Sequence, residues 1–415
     1  MRRAVHATPH RLSLHLLLPC LAVWACTARQ EPAQPRRIAT WLAAQQDYNE
    51  TLPGGMQVQA PVAWSDATLR QIAHVSLGGS EVRIKLSNVF GTQPVTFAAI
   101  GAARSSGGFA IDLATAQTVT FAGSAALTLG AGEEAWSDPL AWSLADNADV
   151  AVSLYVPAET SVASAHILAQ QTAFVASGNA TGAASLVGAQ TTTSSYWLAG
   201  IDVTADSRAK VVVIFGDSLT DGAESTIDAN HRWPNFLDAR LHAQPSPVPV
   251  SVVNAGIGGN RWLHDFIGAK GSGRFTRDAL EISGVSHVII FMGINDIGVS
   301  FYLPAQAVTA QQMIASIDAA ITAAHAQGIQ VGVATLTPFA GAFYYTDEGE
   351  AKRQAVNAWI RANPAIAVVD FDAAIRDPAN PTALPASYDS GDHLHLTDAG
   401  YQRLAAAVDL AFLAP

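Results

Sequence analysis

The stretch that decides the fold is Val211–Gly222, VVVIFGDSLTDG. Its β-branched and aromatic run, Val211–Phe215, predicts a buried strand that ends abruptly at Gly216-Asp217-Ser218. A serine directly after a buried strand lies at the carboxyl edge of a sheet, where open α/β folds place their chemistry. Taken alone, Gly-Asp-Ser is also an ordinary turn that caps the next helix.

From Lys210 onward, predicted strands alternate with predicted helices, which indicates a parallel sheet covered by helices on both faces. The predicted strands are Val211–Phe215, Val250–Val253, His287–Met292, Ile329–Thr335 and Ala367–Phe371. The predicted helices are Pro234–His242, Ala305–Gln327, Glu350–Asn363 and Asp398–Leu413. Gly328 is placed to end the second of these helices, and Thr397 to cap the start of the last.

The preceding segment, from Thr40 to about Val203, has an all-β pattern without a long helical period. Val82–Leu86 and Asp149–Val156 both show the alternation that is typical of strands. Gly, Ser, Asn and Thr separate the predicted strands, so we expect a β-sandwich or jelly-roll layer.

Length and composition favour two folded domains. The chain has 415 residues, of which 49% are hydrophobic and 14% charged, so a large core is available and disorder is not expected. The formal net charge of −11 argues against nucleic acid and anionic membrane surfaces as partners, because both require basic patches.

The N-terminus is typical of a secretory signal peptide. Arginines at positions 2, 3 and 11 precede an apolar run, Leu12–Cys26, that is too short and interrupted for a comfortable membrane span. We therefore predict a signal peptide at 1–28, a linker at 29–39, a β-sandwich accessory domain at 40–205 and a catalytic domain at 206–415. The expected location is secreted or periplasmic.

Both cysteines, Cys20 and Cys26, lie in or at the signal segment. A lipid-attached Cys26 is the alternative to simple cleavage, although Trp24 departs from the small-residue pattern of such processing. If both cysteines are removed, the mature protein has no thiol for disulfides, nucleophilic catalysis or metal binding.

Four short stretches in the second half of the chain carry the candidate chemistry. They are Gly216–Leu219, Asn254–Arg261, Gly293–Asp296 and Asp389–His395. Together they could support acyl transfer. Ser218 would be the nucleophile, and His395 the base that takes its proton.

Two further roles complete this hypothesis. Asp392, three residues before His395, could fold back to orient the imidazole. The N–H groups of Ser218 and Gly259 and the amide of Asn295 could donate to a tetrahedral oxyanion.

In this order, the four stretches closely resemble the blocks of the GDSL, or SGNH, hydrolases. The resemblance covers Lys210 to the C-terminus and places the family's catalytic serine, glycine, asparagine and Asp-x-x-His pair on Ser218, Gly259, Asn295, Asp392 and His395. It implies a flavodoxin-like sheet of five parallel strands. We predict no cofactor. The whole chain is also similar, more loosely, to a secreted subgroup with a preceding β-rich domain, some members of which are associated with plant-polysaccharide degradation.

Alternative interpretations of the site remain open from the sequence. His393 competes with His395 as the base, but only His395 has the Asp-x-x-His spacing to Asp392. The cluster Asp392, His393 and His395 is compatible with zinc, yet no second cluster of this kind accompanies it, so we predict no metal. The glycines at 256, 258 and 259 fit neither nucleotide-binding fingerprint.

Residues beside these four stretches each have more than one candidate role. Arg261 and Trp262 are predicted to bind substrate, although Arg261 could equally be a solvated surface charge. Trp262, Phe339, Tyr344 and Tyr345 could line a cleft or belong to the core. Asp217 is expected to tie the turn to neighbouring backbone, and Asn295 could simply cap a turn.

The resulting hypothesis is a secreted serine esterase that removes acyl groups, acetyl in the first instance, from plant polysaccharide or another carbohydrate. The first alternative is a lipid or aryl esterase that uses the same residues on a small ester. The second is a carbohydrate-binding protein with an inactive hydrolase domain. Activity should fall as acid protonates His395, because only a neutral imidazole accepts the serine proton.

Overall fold

A computed structural model describes residues 1, 3, 4, 6, 34–246 and 248–413. The predicted signal peptide and both cysteines therefore lie essentially outside the described residues. The described residues from Gln34 onward form one compact unit.

The N-terminal half of this unit is built from short antiparallel strands. They are β1 (Arg36–Leu42), β2 (Gln46–Asp47), β3 (Ala63–Trp64), β4 (Ala67–His74), β5 (Gly79–Ser87), β6 (Val95–Phe97), β7 (Ala99–Gly107), β8 (Ala110–Ile111), β9 (Gln117–Thr118), β10 (Leu127–Leu129), β11 (Glu134–Trp136), β12 (Leu140–Leu144), β13 (Asp149–Val156), β14 (Thr160–Ser161), β15 (Ser164–His166), β16 (Ala173–Ser177), β17 (Gln190–Thr192), β18 (Ser195–Tyr196) and β19 (Leu198–Ala205).

Two large sheets organise these strands. One has the order β1-β19-β5-β11, with β12 also paired to β5, and the other has the order β17-β16-β4-β13-β7-β8, with β9 also paired to β7. The predicted strand Asp149–Val156 has the same bounds as β13, and the predicted Val82–Leu86 lies inside β5. In β5, alternate residues are fully buried, as a period-two pattern requires. In β13, which lies between β4 and β7 in its sheet, all five residues from Val150 to Leu154 are buried.

The C-terminal half alternates strands with helices. Its strands are β20 (Lys210–Gly216), β21 (Val250–Gly256), β22 (Val285–Phe291), β23 (Gln330–Ala334) and β24 (Ala367–Val369). Its helices are α1 (Ser218–Asp221), α2 (Trp233–His242), α3 (Gly271–Phe275), α4 (Ile294–Val299), α5 (Ala310–His325), α6 (Asp347–Ala362), α7 (Phe371–Ile375), α8 (Asp398–Ala407) and α9 (Leu410–Leu413). A π-helical turn, Thr276–Leu280, continues α3.

The five strands of this half form one parallel sheet with the order β21-β20-β22-β23-β24, which agrees with the predicted five-stranded parallel sheet. The register pairs Gly216 with both Gly256 and Phe291, so β20, β21 and β22 end at the same level. The order of the strands reverses at β20, because β21 lies on one side of it and β22, β23 and β24 lie on the other. This edge is the switch point at which open α/β sheets bind ligands.

Several predicted elements have shorter bounds in the structure, for local reasons. The predicted helix Ala305–Gln327 begins only at Ala310, because Thr309 and Gln312 form a capping box there. The predicted strand Ala367–Phe371 ends at Val369, because the Asp370 side chain accepts the N–H of Ala373 and starts α7. The predicted helix Asp398–Leu413 is interrupted at Val408, which has an extended backbone.

The last residues of the predicted linker at 29–39 lie in strand β1 and not in a linker. β1 pairs with β19 along its length. Ala39 also contacts the C-terminal half, because its N–H donates to the Ser283 carbonyl and its carbonyl accepts the Ser251 hydroxyl at 2.8 Å. This segment thus joins the two halves. A linker pattern rich in Pro and Arg gives no sign of that pairing.

The described ranges contain neither a membrane-spanning helix nor a metal-binding cluster. No helix in residues 34–246 and 248–413 is long and apolar enough to cross a membrane. In the same residues, no group of three or more His, Cys, Asp or Glu side chains is placed to hold a metal ion.

His242, at the end of α2, provides a test of how the two halves are held together. Its ring lies 3.4 Å from an Asp238 carboxylate oxygen and 3.8 Å from one of Asp146, which belongs to the β-rich half. The Asp238 hydrogen bond raises the pKa of His242 from 6.5 to about 9. The charged ring therefore stabilises the fold fully below pH 6.5, and this stabilisation is lost as the pH rises through 9.

We predict that His242→Gln lowers the free energy of unfolding by about 1–2 kcal/mol at pH 6 and by almost nothing at pH 10. Urea unfolding of both proteins at the two pH values measures this difference. An equal loss at both pH values would show that the imidazolium charge does not stabilise the fold.

Candidate active site

The nucleophile candidate, Ser218, is the first residue of α1, directly after β20. Asp217 caps this helix, because its carboxylate accepts the N–H of Leu219 at 3.1 Å. The N–H of Ser218 has no acceptor within the helix at this first position and is available for a ligand. This contact with neighbouring backbone is the structural role expected for Asp217, and burial raises the pKa of its carboxyl to about 7.

His395 and Asp392 form a continuous chain of hydrogen bonds with Ser218. His395 Nε2 lies 2.8 Å from Ser218 Oγ, and His395 Nδ1 lies 2.6 Å from Asp392 Oδ2. The other Asp392 oxygen accepts the N–H groups of Leu394 and His395. Although burial opposes the charged form, these donors hold the pKa of Asp392 well below its ordinary value, so the carboxylate stays ionised and orients the ring.

The rival histidine is directed elsewhere. His393 Nδ1 lies 2.6 Å from Asp389 Oδ2, in a second Asp–His pair of the same chemistry, and the His393 side chain is half-exposed. His395, in contrast, contacts Ser218. The loop thus holds two similar pairs of which one reaches the nucleophile.

The oxyanion candidates come from the ends of the two neighbouring strands. Gly259 follows β21, and Asn295 lies at the start of α4, after β22. Gly259 has a backbone φ of +71°, and an added Cβ would lie 2.5 Å from Ile267 Cδ1, so only glycine fits there. One Asn295 amide hydrogen is donated to the Asn260 carbonyl at 3.0 Å, which leaves the second for a ligand.

Tyr344 orients the Asn295 amide. Its hydroxyl lies 3.3 Å from Asn295 Oδ1, so the amide oxygen faces the tyrosine and the amide nitrogen faces the Asn260 carbonyl and the cavity. Of the four aromatic residues considered from the sequence, Tyr344 lines the cavity. Phe339 and Trp262 are fully buried in the core.

Ser218, Gly259, Asn295 and His395 line one cavity of about 620 Å³. Most of its wall is apolar. The apolar lining residues are Leu52, Pro53, Met56, Leu168, Ala223, Phe266, Ile267, Val299, Leu303, Phe343 and Leu394. The first four belong to the β-rich half, so this half completes the cavity. These four residues could not be predicted from the sequence, because no motif marks them.

Arg261 and Trp262 are corrected by the structure, because neither lines the cavity. Both are fully buried. The Arg261 guanidinium donates to Gln306, and the Trp262 indole N–H donates to Ser316 at 2.9 Å. We therefore assign them to the support of the loop after β21 that carries Gly259, here named the oxyanion loop, and not to substrate contact. The surface-charge alternative for Arg261 is also wrong.

The loop after β21 is held by buried polar side chains. Asp296 accepts the N–H groups of Trp262 at 2.6 Å and Leu263 at 2.9 Å, and burial raises its pKa to about 6. The Asn260 amide donates to the carbonyls of Ile267 and Ala269, and its oxygen accepts from Arg274. These contacts fix the loop that carries Gly259.

The second half of the chain is similar to a known protein family. Residues 214–403 match the model of the GDSL-like lipase/acylhydrolase family. No curated protein matches the sequence.

Solved structures similar to the chain cover about half of it. A G-D-S-L family lipolytic protein from Desulfitobacterium hafniense is 21% identical, with a TM-score of 0.37 over 50% of this chain and 99% of that one. An aryl esterase from M. smegmatis is 20% identical, with a TM-score of 0.39 over 48% and 96%. A carbohydrate acetylesterase from Sinorhizobium meliloti is 20% identical, with a TM-score of 0.39 over 49% and 99%.

We predict that Asp392→Asn lowers kcat for a nitrophenyl ester by roughly 10²–10⁴-fold, because an amide no longer holds the productive imidazole tautomer. The matched control is Asp389→Asn, which changes the neighbouring Asp–His pair and should leave kcat within about threefold. Steady-state kinetics of both variants give the comparison. A larger loss in the Asp389 variant would identify His393 as the base.

We predict that Asn295→Ala lowers kcat by roughly 10²–10³-fold with a small change in KM, because the amide donor acts mainly on the transition state. Asn295→Asp, which has nearly the same shape and no amide donor, should lose at least as much. The measurement is kcat and KM on the same ester, with the thermal melt as a folding control. Retention of kcat within threefold in Asn295→Ala would exclude the oxyanion role.

Proposed function

We propose that this chain is a carboxylic ester hydrolase that acts through an acyl-enzyme on Ser218, and the match of residues 214–403 to the GDSL-like lipase/acylhydrolase family supports this. The observation that carries the proposal is the 2.8 Å hydrogen bond between Ser218 and His395, continued to Asp392 at 2.6 Å. A base within hydrogen-bond reach is what a serine hydroxyl needs to become a nucleophile.

In the first half-reaction, Ser218 Oγ attacks the ester carbonyl carbon while His395 Nε2 accepts the hydroxyl proton. The resulting oxyanion accepts hydrogen bonds from the N–H groups of Ser218 and Gly259 and from the Asn295 amide. The intermediate then collapses. The carbon–oxygen bond to the leaving alcohol breaks, and His395 returns the proton to that alcohol.

In the second half-reaction, a water molecule takes the place of the alcohol. His395 accepts its proton as the water oxygen attacks the acyl carbon, and the same donors hold the second oxyanion. The bond from Ser218 Oγ to the acyl carbon then breaks, and the proton returns to Oγ. The free carboxylic acid leaves and the enzyme is restored.

The wall of the cavity favours an ester with an apolar acyl or aryl group, the lipid or aryl alternative of the sequence analysis. Apolar surface buried from water contributes about 0.8 kcal/mol per methylene. Phe266, Ile267 and Val299 line the space beside Asn295, and Leu168 closes it from the β-rich half. An acetyl group on a polysaccharide would leave most of this apolar surface unused.

We also propose that the two large antiparallel sheets of residues 40–205 pack as a sandwich. This packing is supported by one hydrophobic core that contains fully buried residues of both sheets. They are Val82, Ile84 and Leu86 of β5 and Val150, Val152 and Leu154 of β13. Export to the periplasm or the exterior is proposed from the sequence of residues 1–28, since arginines precede its apolar run.

We predict that the wild-type enzyme hydrolyses nitrophenyl butyrate with a kcat/KM about tenfold above nitrophenyl acetate, because two more methylenes enter the apolar cavity. Val299→Phe should remove this preference by filling the cavity. Val368→Phe, at an exposed position outside it, is the matched control. Ser218→Ala is the blank, and acetate release from acetylated xylan is measured beside the esters.

Two outcomes would contradict the proposal. Ester hydrolysis that persists in Ser218→Ala would exclude the serine mechanism. Serine-dependent acetate release from xylan that exceeds nitrophenyl butyrate hydrolysis would instead support the carbohydrate esterase predicted from the sequence.

A further inference from the structure

His166, the last residue of β15 in the β-rich half, contacts the catalytic half through a carboxylate. Its Nε2 lies 2.9 Å from Oδ1 of Asp221, the last residue of the nucleophile helix α1. Its Nδ1 lies 3.0 Å from the Ala44 carbonyl oxygen. Both side chains are buried, at 8% and 1% exposure, so water does not separate them.

The partners of this ring require that it be doubly protonated. A backbone carbonyl only accepts hydrogen bonds, so Nδ1 carries a hydrogen. Asp221 accepts on both oxygens, so Nε2 carries a hydrogen as well. The charged groups that face the ring are Asp221 and the buried Arg232. Burial and Arg232 oppose the charge, but the Asp221 carboxylate outweighs them and raises the pKa of His166.

The second oxygen of Asp221 reaches the oxyanion loop. Asp221 Oδ2 accepts the N–H of Gly258 at 2.8 Å, and Gly258 directly precedes Gly259, the proposed oxyanion donor. The same loop is also approached from the β-rich half by Leu168, since a Cβ at Gly258 would lie 3.2 Å from Leu168 Cδ2. The chain of contacts therefore runs from His166 through Asp221 to the peptide before Gly259.

We propose that His166 is a positioning residue of the esterase: its imidazolium holds the Asp221 carboxylate, which fixes the Gly258 N–H and so aims the Gly259 N–H at the oxyanion. The inference rests on the proposed function, because an oxyanion donor has meaning only in acyl transfer. It gives the β-rich half a part in catalysis, besides its part in the cavity wall. Preorganised donors are effective because they need no reorientation during reaction.

A positioning role differs from a purely structural role in its kinetic signature. Misaimed oxyanion donors weaken transition-state binding, so kcat falls while KM changes little. A loss of stability alone would lower the melting temperature and leave kcat of the folded enzyme unchanged. The split between kcat and KM therefore separates the two roles.

The test is His166→Gln in the full-length protein, assayed with nitrophenyl butyrate. Glutamine can donate to Asp221 or to Ala44 but not to both, and it carries no charge. We expect kcat to fall by about 10–100-fold, with KM within threefold of wild type, since the donor is misaimed but not removed. The matched control is His242→Gln, which breaks another His–carboxylate contact between the halves, away from the cavity, and should keep wild-type kcat.

Asp221→Asn is the second variant, used also if His166→Gln does not fold. The asparagine amide has nearly the shape of the carboxylate, but it has one acceptor oxygen and cannot accept from both His166 and the Gly258 N–H. We therefore expect kcat to fall at least tenfold again, at nearly constant KM. Three outcomes would overturn the proposal and leave the pair a structural role. The first is an unchanged kcat in folded His166→Gln, and the second is an equal loss of kcat in His242→Gln. The third is failure of both His166→Gln and Asp221→Asn to fold. A wild-type enzyme without Ser218-dependent hydrolysis would instead overturn the proposed function itself.

Discussion

The Asp221 carboxylate is the constraint on which the arrangement of the active site depends. It lies at the end of the nucleophile helix, and its two oxygens bind His166 from one half of the protein and the Gly258 N–H from the other. A buried carboxylate without such partners would cost several kcal/mol in lost hydration. The nucleophile helix, the oxyanion loop and the β-rich half therefore have to keep the positions that satisfy it.

A second buried charge, the Arg274 guanidinium, stabilises the same region. Arg274 donates to the carbonyls of Gly216 and Ala255, at the ends of β20 and β21, and to the side chain of Asn260. Its guanidinium also lies 4.0 Å from the centre of the Phe215 ring. Burial lowers its pKa to about 10, so the group remains charged near neutral pH. Two strand ends and the oxyanion loop are thus tied by one side chain.

The sequence predicted the parts of this structure that depend on local patterns. The five parallel strands follow from β-branched runs, and the pairing of Asp392 with His395 follows from a spacing of three residues. It could not predict contacts between residues far apart in the chain. His166 and Asp221 are separated by 55 positions, and neither has a signature that names the other. The burial of Arg261 was missed for a related reason, since a charged residue is exposed by default unless its partners are known.

In the proposed mechanism, the β-rich half is part of the active site and not an appended module. Loops that carry catalytic groups are mobile unless a scaffold fixes them, and an oxyanion hole loses its advantage when its donors must reorient. Here Glu50 accepts the Gly268 N–H at 2.6 Å, and Leu168 packs against Gly258, so the loop after β21 is held on both sides by residues of the β-rich half. Leu168 also lines the apolar cavity, so in the proposed mechanism one residue of the β-rich half contributes both to the substrate cavity and to the position of the oxyanion donors.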